Sequence, residues 1–221
     1  MSALGVPVIA AISSRRRLAP AARTTRDELT ALESWAEQLI DAGADLIQLR
    51  ESDWPAGVLT GLARWVTARA AGSTTRVLVN DRADVALAAG AHGVHLPSNG
   101  LPTPAVRGLA TGWIVGRSVH DGDDVTSAAG VDYFLFGTVF PSVSKPGQQA
   151  AGIAALQRAA VASPVPILAI GGITPDRARQ CLDVGAAGVA GIGLFLPEGL
   201  EAESLGPSRA VGLLRAAMAA S

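Results

Sequence analysis

The sequence predicts an α/β fold, a single (β/α)8 TIM barrel spanning residues 1–221. Three observations carry this expectation. Short apolar runs alternate with longer segments of helical period, and eight such runs can be counted along the chain. The runs are apolar throughout instead of alternating with polar residues, the pattern of strands buried on both faces of a parallel sheet. A small-residue phrase also recurs between helix and strand, at residues 42–45, 89–93 and 184–188. Each phrase puts a glycine just past a helix, where a left-handed C-cap is needed.

Taken in order, residues 6–12 are apolar and read as the first strand. Residues 27–41 carry Leu29, Leu32, Trp35, Leu39 and Ile40 close to one helical face. Residues 46–50 form the second strand, before a helix at 57–71; residues 77–80 form the third, before a short helix ending at Ala89. Residues 93–96 precede a helical piece near 103–109, and four more strands are expected at 114–119, 133–137, 167–170 and 188–192. The chain is short for a barrel of about 250 residues. A doubly wound open sheet is disfavoured, since Ser13, Ser14 and Arg15 follow the first strand where a glycine fingerprint belongs. No linker, low-complexity tract or second domain is apparent.

Composition narrows the function. The formal charge is -1 and 17% of residues are charged, without a basic block, so a nucleic-acid partner is not expected. Neither is disorder, given 49% hydrophobic residues. No polar-free run approaches the roughly 20 residues of a bilayer crossing. The arginine run 15–17 follows the first apolar stretch instead of preceding it, the wrong order for a secretory signal. The lone Cys181 has no disulfide partner and fits a reducing, cytoplasmic setting as a small buried hydrophobe. Trp35, Trp54 and Trp65 are read as core before interface, and self-association is left open. Residues 13–26, rich in arginine, are read either as a lid or as a solvated loop.

In a barrel of this type the chemistry belongs at the C-terminal strand ends. There the sequence places Gln48, Arg50 and Glu51 on the second strand, Asn80 and Asp81 on the third, and Arg117, Ser118 and His120 on the fifth. The sixth strand leads to Ser142, Ser144 and Lys145. Lys145 is the single lysine beside 17 arginines, a compact ammonium suited to a phosphate or carboxylate. Gly171 and Gly172 after strand seven precede a Thr174 cap and a proline at the first helical position, while Gly191 and Gly193 follow strand eight. Paired backbone sites of this kind commonly hold phosphate. His120 is the acid/base candidate, because an imidazole takes and returns protons near neutrality. The competing reading makes it the cap of a helix beginning near Asp121. His92 is read as lying in a connecting turn and His95 as facing the barrel interior. Asp81 alone is a poor magnesium anchor, and the next loop, residues 95–101, contains no acid.

The ordered set Gln48-Leu-Arg-Glu51, Val79-Asn-Asp-Arg-Ala-Asp-Val-Ala-Leu87, Gly90-Ala-His-Gly-Val-His-Leu96, Phe136-Gly-Thr-Val-Phe-Pro-Ser-Val-Ser-Lys145 and Ala169-Ile-Gly-Gly-Ile173 resembles the thiamine phosphate synthase superfamily. The resemblance implies a barrel that binds a phosphorylated thiazole and, in the synthases, a pyrimidine pyrophosphate with magnesium. Three departures fall on the diphosphate, metal and substrate contacts. Ser52 stands where the synthases carry lysine, Pro97-Ser-Asn-Gly100 where they carry an acidic ligand, and glycine near Gly193 where they carry serine. The stretch Gly116-Arg-Ser-Val-His120 is similar to the thiazole tautomerase branch, whose histidine moves a proton as a carboxythiazole phosphate becomes aromatic.

The leading expectation is therefore a metal-independent, cofactor-free tautomerase of a phosphorylated thiazole, with His120 moving the proton. Gly171, Gly172 and Gly193 would hold the phosphate, and Arg50 or Lys145 would meet a carboxylate. Arg50 has a structural alternative, an ion pair with Glu51 or Asp81. The runner-up is thiamine phosphate synthase, with Asp81 anchoring magnesium and Ser142, Ser144 and Lys145 around the diphosphate. A third reading is a non-catalytic barrel that binds a thiamin-related phosphate.

Overall fold

The computed structural model describes residues 5–142, 147 and 149–219. Its strands are β1 (Val8–Ile12), β2 (Leu46–Leu49), β3 (Arg76–Asn80), β4 (Gly93–Leu96), β5 (Ile114–Val119), β6 (Tyr133–Gly137), β7 (Ile167–Ile170) and β8 (Gly188–Gly191). All are parallel and each pairs with the next. β8 returns to β1 through Val8↔Gly188 and Ala10↔Ala190, closing the expected barrel.

Alternation along each strand divides the core in two. One set of side chains, including Val8, Ile12, Leu46, Leu78 and Leu168, fills the barrel. The other, including Ile9, Ile47, Val77 and Val94, packs outward against helix residues such as Leu32, Leu39, Leu59 and Leu214. Each fully buried leucine or isoleucine adds about 1.5–3 kcal/mol, so the two shells make the barrel a rigid frame for its rim. Cys181 is fully buried in the outer shell, and that burial pushes its thiol up to about 12. Trp35 and Trp54 are core residues, but Trp65 is partly exposed on its helix, so its core expectation does not hold.

The helices are α1 (Arg15–Leu18), α2 (Thr25–Asp41), α3 (Ala56–Arg69), α4 (Ala83–Ala89), α5 (Thr103–Arg107), α6 (Gly152–Ala162), α7 (Pro175–Asp183) and α8 (Pro207–Ala219). α2 starts two residues before the expected position because Thr24 and Asp27 form a reciprocal capping box. Gly43, Gly90 and Gly185 take the positive φ that the recurring phrase requires. Two segments differ from expectation. The arginine-rich stretch contributes the short helix α1, and no helix lies between β5 and β6. In that second segment Gly122 and Gly130 adopt left-handed φ, and Asp124 accepts from the Thr126 amide and hydroxyl, so local turns replace a helix. Among the described residues no helix is long and apolar enough to cross a membrane.

Candidate active site

A cavity of about 470 Å³ opens at the C-terminal ends of the strands. Of the residues expected there, Gln48, Arg50, Asn80, Ser118, His120, Ser142, Gly171, Gly172, Gly191 and Gly193 all line it. Ser144 and Lys145 lie outside the described residues. Asp81 is not in the lining. It sits in the left-handed region at φ 61, its amide donates to the His95 carbonyl at 2.9 Å, and its Oδ1 is turned toward Gly100 of the β4 loop.

The glycine turns are imposed by packing as well as open to a ligand. A Cβ on Gly171 would stand 2.4 Å from Thr138 Cγ2, and one on Gly172 would stand 2.4 Å from the Pro141 carbonyl. Both glycines also hold positive φ. Thr174 caps α7, and Arg177 donates to the Gly172 carbonyl at 2.7 Å, which ties the turn to the helix N-terminus. Across the mouth, a Cβ on Gly193 would lie 2.9 Å from Arg17 Nη2. Arg17 lines the cavity and pairs with Glu201 through Nε at 2.8 Å and Nη2 at 2.5 Å. The glycine-turn end of the mouth thus has a guanidinium at its edge, which strand-end reasoning missed because Arg17 arrives from α1.

His120 sits at the rim with its side chain 42% exposed. Its amide donates to Asp123 Oδ2 at 2.8 Å, and the same oxygen lies 3.5 Å from Nδ1. This arrangement turns Nδ1 toward the carboxylate, and His120 lines the cavity. The helix that His120 would have capped does not form. Deeper in the mouth, Gln48 Nε2 donates to Asn80 Oδ1 at 2.9 Å, coupling the polar ends of β2 and β3.

Glu51 does not pair with Arg50. Its partners are the Ser13 hydroxyl at 2.6 Å, the Arg15 amide at 3.0 Å and Arg15 Nη1 at 3.4 Å. Desolvation outweighs these contacts and raises its pKa. Arg15 binds Asp53 more closely, with Nη2 to Oδ2 at 2.9 Å, holds Glu28 Oε1 at 3.0 Å and stacks over Trp54. That pairing keeps the Asp53 carboxyl down at about 2. Among the described residues Arg50 has no ion pair, and it lines the cavity. The arginine-rich segment is therefore neither lid nor solvated loop at Arg15. It is a buried clasp between α1 and the end of β2.

The donor set does not match a two-carboxylate magnesium site. Asp81 faces a loop of Pro97, Ser98, Asn99 and Gly100, and Glu51 is committed to Arg15. Among the described residues no cluster of three or more His, Cys, Asp or Glu side chains is placed to hold a metal ion.

Fold and mouth together define a parallel (β/α)8 barrel with one rim site, built from glycine turns after β7 and β8 and polar ends of β2, β3 and β5. The family described as TMP-TENI, thiamine monophosphate synthase, matches residues 21–195, and the chain belongs to it. The chain is 42% identical to a thiamine-phosphate synthase of Anaeromyxobacter dehalogenans, over 69% of this chain and 70% of the relative. It is 38% identical to one of Mycobacterium tuberculosis, over 79% and 83%. A solved thiamine phosphate pyrophosphorylase from Pyrococcus furiosus superposes with a TM-score of 0.79 at 26% identity, covering 98% of this chain and 96% of that one.

Proposed function

We propose that this chain is an enzyme of thiamine biosynthesis that tautomerises a phosphorylated carboxythiazole, without a metal. The observation that carries the reading is the composition of the mouth. Among the described residues it presents His120 at the rim, glycine turns after β7 and β8 and Arg50 without an ion pair, and Asp81 is absent from its lining. Membership of the thiamine monophosphate synthase family supports the substrate class.

The phosphate sits against Gly171, Gly172 and Gly193, where backbone amides and the α7 N-terminus favour an anion and Arg17 adds charge shared with Glu201. Arg50 meets the carboxylate with its fork of donors. His120 Nε2 takes the proton from the tetrahedral ring carbon and returns it to the exocyclic carbon, so the atoms balance as an isomerisation. Aromaticity of the product supplies the driving force, and positioning a base beside an acidified carbon is what remains for the protein. The test is an absorbance assay on the exocyclic tautomer with and without chelator. Turnover that ignores chelator supports the reading, and an unchanged rate for His120→Gln overturns the role of the imidazole.

A second reading is favoured by the names of the relatives: coupling of a pyrimidine pyrophosphate to the thiazole phosphate, as a thiamine-phosphate synthase. Its mark is release of pyrophosphate that stops in chelator. Formation of thiamin phosphate from both substrates with magnesium, at a rate exceeding tautomer turnover, replaces the first reading with this one.

A further inference from the structure

The inward faces of β4, β5 and β6 carry a polar row that neither reading uses. His95, Gly116 and Tyr133 stand in register, His95↔Gly116 and Gly116↔Tyr133. The middle position is bare for a reason: a Cβ on Gly116 would lie 2.2 Å from Tyr133 Cζ. The missing side chain lets the Tyr133 ring cross β5 and bring its hydroxyl within 3.0 Å of His95 Nδ1. On the other side of the imidazole, Nε2 lies 2.8 Å from Ser118 Oγ, two residues nearer the mouth and in the cavity wall.

Hydrogen-bond accounting fixes the direction of this row. Tyr133 is buried, and among the described residues its hydroxyl has one hydrogen-bond partner, His95 Nδ1. A buried phenol proton left without an acceptor is costly, so Tyr133 donates and Nδ1 accepts. The ring proton then resides on Nε2 and is donated to Ser118 Oγ. With its oxygen already accepting, the Ser118 hydroxyl is left to donate its own proton into the cavity. We infer that Tyr133 and His95 are positioning residues that lock Ser118 as a hydrogen-bond donor to an acceptor atom of the bound thiazole phosphate. Complete burial, with the nearby Arg50 charge, lowers His95 to about 3 and keeps the ring neutral in this role. The ligand part of this inference rests on the proposed function; the direction of the row does not.

Two measurements separate them. Nitrogen-15 NMR of the ligand-free chain reads the His95 tautomer directly. The expected result is a proton on Nε2 with Nδ1 bare, unchanged between pH about 5 and 8, and its replacement by a tautomer mixture in Tyr133→Phe. A proton on Nδ1, an imidazolium in that range, or an unaltered spectrum in Tyr133→Phe overturns the relay. Calorimetry with the aromatic carboxythiazole phosphate then tests the donor. Ser118→Ala weakens binding about tenfold, equivalent to about 1.4 kcal/mol, and Ser118→Thr restores it. Equal affinity for Ser118→Ala overturns the donor role. If the unaltered chain fails to bind this probe, the proposed function falls while the NMR result still judges the relay.

Discussion

The two sides of the barrel mouth are built from opposite electrostatic strategies. On the β1–β2 side, Ser13, Arg15, Glu28, Glu51 and Asp53 satisfy one another, with the Arg15 side chain 10% and the Glu51 side chain 3% exposed. On the β5–β8 side, His120, Ser118 and the glycine turns face the cavity, and Asp123 orients His120 through its amide and Nδ1. Charges that cancel inside a desolvated cluster hold the frame, because removing either partner strands the other. Groups left facing an open cavity are poorly spent on stability and available to a ligand. The rim therefore separates scaffold from chemistry within the same ring of loops.

That division can be broken by substitution on either side. The largest effect is expected for His120→Gln, a loss of 10²–10⁴ in tautomer turnover, about the worth of a general acid–base, with an unchanged urea midpoint; a shifted midpoint would place His120 in the frame. Next comes Glu51→Ala, which leaves the buried Ser13 hydroxyl and the Arg15 amide without their acceptor while Arg15 keeps Asp53 and Glu28, and should remove about 1–3 kcal/mol of stability in urea unfolding. A loss below about 1 kcal/mol would make the cluster an ordinary surface salt bridge.

The acid limb of stability is set from within the barrel. His95 is held near 3 in the folded chain, whereas an unfolded histidine titrates near 6.5. Below pH about 6.5 the unfolded chain takes up a proton that the folded chain refuses, so stability is present above that pH and falls as pH drops. About 2 kcal/mol should be lost between pH 6.5 and 5, with His92 acting in the same direction. Urea midpoints across that range should show the slope, and His95→Gln should reduce it. The smallest effect is expected for Asp53, whose lowered pKa gives stability that is present above about pH 4 and lost toward 2. Its side chain is 44% exposed, so Asp53→Asn should flatten that last limb by about 0.5–1 kcal/mol.

Much of the mouth was legible because the strands of a parallel barrel are continuous apolar runs, and their last residues must face the opening. Gln48, Asn80, Ser118 and the glycine pairs are read that way, from position in a strand alone. The residues that were missed reach the mouth by other routes. Arg17 comes from a helix within a segment that reads as loop, and Glu203 comes from beyond β8. Arg50 carried two readings, and the charge pairs around Arg15 remove the ion pair with Glu51, since Glu51 is claimed by a neighbour 36 residues away. The β5–β6 connection looked helical because the surrounding pattern is strictly alternating, whereas Gly122, Asp124 and Gly130 prefer turns.

Hydrophobic period and glycine placement are local signals that every turn of the chain repeats, so the eight strands, their parallel closure and the end of the barrel expected to carry the site are readable from the chain alone. Which polar groups cancel and which are left facing the cavity emerges only when the elements pack together. Pairing depends on distances between elements far apart in sequence, as Arg15 with Glu51 and Tyr133 with His95 across the bare Cα of Gly116 both show.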